Sequence, residues 1–193
     1  NGLWTQEIYY HILNSGLRIP PSAGSASGVL PNPVGYNRVY VHTGDKFSWD
    51  AWWSGLRRGR SFVTNGPVLL CTVNGKVPGD VFRQVGGRID LQLNIELRSH
   101  DNVPAVEVVW NGKVVKSLST DGQQSAQLEA KLDLNGPGWL LVRAITDCKE
   151  TFRFASTAPW YVELANPDIA DAPGWTYSSR KSAQFFADWV DER

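Results

Sequence analysis

From Val68 onward the chain keeps a two-residue hydrophobic period for almost a hundred residues, and this limits its fold more than any other feature. Ile89, Leu91, Leu93, Ile95 and Leu97 alternate with Asp90, Gln92, Asn94, Glu96 and Arg98. Because successive strand side chains point to opposite faces, this run predicts an antiparallel strand with one dry face and one wet face. Val106, Val108 and Trp110 lead into Asn111-Gly112 and then Lys113-Val-Val-Lys116. Asn-Gly between alternating runs is a hairpin signal, since a type I′ turn needs two residues that tolerate positive φ. Leu128, Ala130, Leu132 and Leu134 alternate again, Trp139 to Thr146 is more continuously apolar, and Phe152 to Phe154 and Trp160 to Leu164 supply two further strands. Some seven short strands punctuated by turn signals indicate a mainly β protein with an immunoglobulin-like antiparallel β-sandwich over residues 68–165. Strands that follow one another as hairpins exclude a parallel α/β sheet for this portion. The Cys…Trp…Cys spacing of antibody domains is absent, because Cys71 precedes the first long strand and Trp110 falls too late.

Residues 1–67 read differently. Thr5 can cap a helix running to about Ser15, with Glu7 in its first turn, Ile8, Ile12 and Leu13 as its stripe and Gly16 at its end. A Pro/Gly/Ser-rich loop from Arg18 to Arg38 follows, and then a short strand, Arg38 to His42. Ser48 is an N-cap for a second helix, in which Trp49, Trp52, Trp53 and Leu56 fall at i, i+3, i+4 and i+7 before Gly59 stops it. Covering such a face is worth several kcal/mol at ~25 cal/mol per Å2 over side chains of roughly 150–250 Å2, so core packing is expected for it. Ser61 to Thr64 is strand-like and Asn65-Gly66-Pro67 turns the chain. After the sandwich, Asn166 to Tyr177 reads as a linker. Ser178 or Ser179 then caps a closing helix (region 166–193), with Phe185, Phe186, Trp189 and Val190 on one face. Its expected partner is either the tryptophan helix or the sandwich.

Bulk properties remove several function classes. Lys plus Arg and Asp plus Glu both number 19, with no basic block, so no electrostatic argument favours nucleic acid or an anionic membrane as partner. No apolar run approaches the ~18–20 residues of a membrane span. The opening Asn1-Gly-Leu-Trp and the absence of Met suggest a piece or processed product of a longer parent. Its compartment stays open, with a weak lean to an extracytoplasmic one. Cys71 and Cys148 show no CxxC spacing; buried free thiols are the expectation for both, with a single disulfide between them as the alternative.

The framework Gly16-Leu-Arg-Ile-Pro20, Gly24-Ser-Ala-Ser-Gly28, Gly55-Leu-Arg-Arg-Gly-Arg60, Phe62-Val-Thr-Asn-Gly-Pro67 and Val77-Pro-Gly-Asp80 resembles the C-terminal part of PHP-superfamily (polymerase and histidinol phosphatase) metallohydrolases of the CehA/McbA branch. The resemblance is strongest over residues 16–80. It implies that residues 1–67 are the helix-strand-helix end of a distorted metal-binding barrel, followed by the sandwich. It also implies that the metal-binding Asp and His of a Gly-Ser-Asp-x-His motif are replaced here by Ala26 and Gly28. Neither side chain can ligate a cation. The three histidines, His11, His42 and His100, form no HxH or HxxxH pattern. No cofactor is therefore expected in this chain, and zinc or manganese enters only if the rest of the parent supplies the ligands.

The function read from these residues is a non-catalytic accessory and structural region of a degenerate PHP-like metallohydrolase, with the remainder of the parent's barrel as partner. Two alternatives stand beside it: a sandwich binding a glycan or small ligand, and part of an active hydrolase whose ligands lie upstream. Among the nine tryptophans, Trp4, Trp160 and Trp175 have contexts compatible with exposure to a sugar. Arg18, Ser22, Ser25, Asn32, Tyr36, Asn37, Arg38 and Asn65 are candidates to line a pocket for an anion or sugar. Alternatively, Asn32 and Asn65 serve turn geometry and Arg38 pairs with a carboxylate or caps carbonyls. A serine nucleophile in the Gly24–Gly28 loop lacks the strand and the His/Asp partners that it would need, and no phosphate-cradling Gly-rich motif is present.

Overall fold

The computed structural model describes residues 2–29, 32–165, 174 and 176–191. The expected linker from Asn166 lies almost wholly outside them, as does Trp175. The described part is mainly β, built of two sheets and three helices. The smaller sheet has three antiparallel strands in the order β3 (Val68–Val73), β5 (Arg88–Arg98) and β8 (Ser125–Asn135). The larger is organised around β9 (Gly138–Ile145). One side of β9 carries β6 (Ala105–Trp110), and β6 carries β7 (Lys113–Ser119). Along the other side of β9 lie β10 (Phe154–Thr157) and β11 (Trp160–Leu164).

Strands β2 (Ser61–Thr64) and β1 (Arg38–Val41) extend the large sheet from β10, and β4 (Val81–Gln84) extends it from β11. Two expectations change here. First, β1 and β2 lie before residue 67 yet pair into the same sheet as the sandwich strands, so the sheet is continuous across that point. Second, β4 was not foreseen and runs parallel to β11, the one parallel pair among the described strands.

The inner faces of the two sheets form the main core. Leu91, Leu93, Ile95 and Leu97 of β5 meet Val106, Val108, Leu140, Val142 and Trp160 of the large sheet. The outer face of β9 is also covered. Trp139 and Leu141 pack with Val109 against Tyr10 and Leu13 of α1 (Gly2–Asn14), which explains why β9 is apolar at nearly every position. α1 begins at Gly2, three residues ahead of the expected cap at Thr5. It is clamped by Asn14 Oδ1, which accepts from Trp139 Nε1 at 2.8 Å, and by Arg143, which donates to Gln6 and Tyr10 and pairs with Glu107 at 2.6 Å.

The closing helix α3 (Arg180–Asp191) rests on α1, not on the tryptophan helix or the sandwich. His11 stacks on Phe185 at 4.1 Å, its Nδ1 lies 2.9 Å from the buried Ser182 hydroxyl, and Trp4 meets Trp189. Ser48 caps α2 (Trp49–Arg57) as expected, its hydroxyl accepting from Ala51 N–H at 3.0 Å. Asn111 and Gly112 make the β6–β7 turn with φ of 49° and 84°, as a type I′ turn requires. β10 begins at Phe154, two residues later than expected.

Two of the resemblance motifs meet in space. Gly59, which ends α2, lies against Gly79 of the Val77–Asp80 segment, and a Cβ on Gly79 would run into the Arg58 carbonyl. Gly79 also has φ 88°, so it is doubly restricted to glycine. Gly79→Ala should therefore destabilise the fold by on the order of 3 kcal/mol in chemical denaturation. Gly87→Ala, where an added methyl meets nothing within 4 Å, should cost less than ~1 kcal/mol.

Candidate functional site

The loop residues expected to line a pocket are held mainly in hydrogen bonds of their own. Ser25 Oγ accepts from Asn37 N–H at 3.0 Å, Asn37 Nδ2 donates to the Gly24 carbonyl at 3.0 Å, and Asn32 Nδ2 to the Ser25 carbonyl at 3.4 Å. Tyr36 pairs with the Thr151 hydroxyl at 3.0 Å, and Arg38 donates to the Gly35 carbonyl at 3.0 Å. Arg38 Nε is buried with no partner among the described residues. Asn65 bonds the β10 approach three times: its Nδ2 to Phe152 O, its Oδ1 from Phe154 N–H and its own N–H to Phe154 O. Ser22 is exposed, as are Ala26 and Gly28. The group thus divides into a self-bonded loop, a turn residue and one outlier.

That outlier is Arg18. It leaves the loop for Glu163 on β11, making a 2.7 Å ion pair while its guanidinium lies 4.5 Å above the Tyr161 ring. Arg83 of the parallel strand β4 reaches the other oxygen of Glu163 at 3.0 Å. Burial would raise the Glu163 carboxyl, but the hydrogen bonds from Arg83 and Arg18 together outweigh it and hold its pKa below the ordinary carboxylate value. Burial likewise pushes Tyr10 and Tyr161 up to about 12. Cys71 is a buried thiol in the core, raised by desolvation, whereas Cys148 is only half-buried and bonds Glu150 at 3.2 Å. Among the described residues no three His, Cys, Asp or Glu side chains gather as a metal site would require. No described helix is long and apolar enough to cross a membrane.

Two features not foreseen in the sequence remain open. One is the α2 face. Trp49 is 69% exposed, Trp53 49% and the preceding Phe47 63%, while Trp52 and Leu56 are half-buried, so among the described residues the expected core packing covers only part of this face. Phe47 and Trp49 meet edge to face at 5.4 Å, and Trp52 and Trp53 at 4.8 Å. The other is a cleft of about 650 Å3 between the β1–β2 end of the large sheet and β3 of the small one. Tyr40 and Phe62 stack at 4.9 Å on one wall, and Val68 to Thr72 of β3 line the other, which continues over Ile95 of β5 and Leu128 of β8. The Ser61 hydroxyl beside it is buried without a partner among the described residues. Trp4 is exposed as expected, but Trp160 is fully buried in the core, where its Nε1 donates to Lys76 O at 3.0 Å.

No family model and no curated protein sequence matches the chain. Among solved structures it is similar to a CARDB domain of the PF1109 protein of Pyrococcus furiosus, described as in complex with di-metal ions. The identity is 19% and the TM-score 0.30, over 52% of this chain and 90% of that one.

Because the Glu163 pKa is depressed in the folded state, its contribution is present above the unfolded value near pH 4.3 and is lost as pH falls through the folded value. Glu163→Gln should cost about 1–2 kcal/mol at pH 7, discounted for the partly exposed arginines. The gap from the unsubstituted chain should narrow below pH 4 in urea denaturation.

Proposed function

We propose that this chain is a non-catalytic accessory region of a PHP-like metallohydrolase, a scaffold whose α2 face docks against the remainder of the parent's barrel. The observation that carries this reading is the exposed cluster of Phe47, Trp49 and Trp53. Large aromatic side chains grouped on one capped helix are costly to leave in water and are the usual anchors of a protein interface. Ala26 and Gly28 at the ligand positions support a scaffold, as does a loop whose polar groups largely bond one another. Any zinc or manganese would be held by the barrel.

The finer description of the sandwich as immunoglobulin-like is supported by its strand order. The β3-β5-β8 sheet corresponds to an A-B-E arrangement, and β7-β6-β9-β10 to C′-C-F-G. A glycan-binding sandwich would need a row of exposed indoles on a sheet face. The strand tryptophans Trp110, Trp139 and Trp160 are half-buried or buried.

Replacing Trp49 and Trp53 together by Ser should change the thermal midpoint by less than about 2 °C, as exposed substitutions do. The same change should abolish calorimetric binding to the separately produced barrel of the parent. Unchanged binding would refute the docking role, as would a fall of roughly 8 °C or more. Stoichiometric tight uptake of zinc or manganese by this chain alone would refute the non-catalytic reading.

A further inference from the structure

The cleft beside β3 includes Leu69 and Cys71, although both side chains are buried in the core. What the two residues offer at the free edge of the sheet follows from the strand register. The β3–β5 register pairs Leu70 with Glu96 and Thr72 with Asn94, and at its end Asn74 N–H donates to Gln92 O at 2.8 Å. In an antiparallel ladder, hydrogen-bonding alternates from residue to residue. The even-numbered residues of β3 therefore bond to β5, while the N–H and C=O groups of Leu69, Cys71 and Val73 point the other way. Val73 confirms the parity, since its N–H and C=O exchange 2.9 Å bonds with Lys76 across the Asn74-Gly75 turn. Leu69 and Cys71 have no such partner among the described residues.

The opposite wall shows what is missing. The large sheet extends past β3 through β10, β2 and β1, whereas the small sheet stops at β3. Among the described strands, none lies above the inner face of β1–β2, which carries Tyr40 and Phe62 and is thus left as a ledge. Tyr40 remains 43% exposed there.

Edge strands are usually protected by charges, Pro or bulges. Four of the five described edge strands follow that rule: β1 carries Arg38, β4 Arg83, β7 Lys113 and Lys116, and β8 Glu129, Lys131 and Asp133. Strand β3, Val-Leu-Leu-Cys-Thr-Val, carries no charge and no Pro.

We propose that this ledge is a strand-acceptor site, filled by an extended segment of a separate polypeptide that adds beside β3 as a fourth strand of the small sheet. Its backbone bonds the N–H and C=O groups of Leu69 and Cys71. Its alternate side chains are apolar and rest on Tyr40 and Phe62, and the intervening ones face solvent, as in strand-addition recognition generally. The site does not depend on the α2 face or on the parent's barrel.

The test is titration of the 15N-labelled chain with three capped heptapeptides alternating Val/Thr, Ile/Lys and Phe/Ser, followed by amide chemical shifts. At least one should produce saturable shifts centred on Leu69 and Cys71 and slow their amide exchange. Cys71→Pro removes an N–H that the fold does not use and Pro is compatible with an edge strand. It should weaken binding by about tenfold or more. Tyr40→Asp, which places a charge under the added strand and leaves the β3 backbone intact, should do the same and keeps the test decisive if the proline variant does not fold. Trp49→Ser with Trp53→Ser should leave peptide binding unchanged, which separates this site from the α2 reading. The proposal is overturned if no peptide shifts Leu69 and Cys71 at millimolar concentration. It is also overturned if binding survives Tyr40→Asp undiminished, or if the edge is already occupied by a second copy of the chain, seen as concentration-dependent dimerisation that protects these amides.

Discussion

The burial of the β5 inner face against β6, β9 and β11 is the contact on which the rest of this structure depends. Leu93 and Leu97 are fully buried from one sheet, and Val106, Val108, Leu140 and Trp160 from the other. Because the small sheet has three strands, it covers the centre of the large one and not its β1–β2 end. Both open features follow from the reach of the large sheet beyond its partner. The ledge beside β3 is the uncovered inner face itself. Helix α2, joined to the end of β1 by the close approach of Gly55 to Val41 and His42, is carried out to the same end, away from the core that would have buried its indoles.

On the far side, α1 closes the outer face of β9 and is itself covered by α3. This layer uses polar side chains as fixings. Asn14 joins the helix to Trp139, Arg143 joins it to Glu107, and Ser182 of α3 reaches His11. The same economy holds across the loop between α1 and β1. Arg18 secures that loop to Glu163, and Asn65 secures β2 to the approach of β10. Residues whose chemistry would suit a ligand site are thus largely occupied in joining elements of the fold. Gly79 shows the same for a motif glycine, since its missing side chain lets the Arg58–Gly59 backbone approach.

Elements governed by local periodicity were legible in the sequence. The alternation of β5, the Asn111-Gly112 turn, the Ser48 cap and the apolar run of β9 each state their own conformation in adjacent residues. What they do not state is which surface each element meets. The i, i+3, i+4, i+7 spacing of Trp49, Trp52, Trp53 and Leu56 specifies a helix with an apolar face, but not that a cover exists. For the same reason α3 was expected on α2 or the sandwich, when its partner is α1. Strand β4 is not legible because Val-Phe-Arg-Gln shows no alternation, and its parallel pairing with β11 is set by contacts some eighty positions away. The candidate loop residues were recognised as polar, but composition does not reveal that Ser25, Asn32 and Asn37 satisfy one another. The absence of charge in Val68–Val73 was visible throughout. It acquires meaning only once β3 is known to be an edge.

The central claim is that β3 is an unpaired edge facing an uncovered ledge, and residue-resolved amide hydrogen exchange on the isolated chain tests it most directly. Leu70 and Thr72, bonded to β5, should exchange slowly, while Leu69 and Cys71 between them should exchange faster by about a hundredfold. Equal protection of all four amides would mean that the edge is already paired, and would contradict the account.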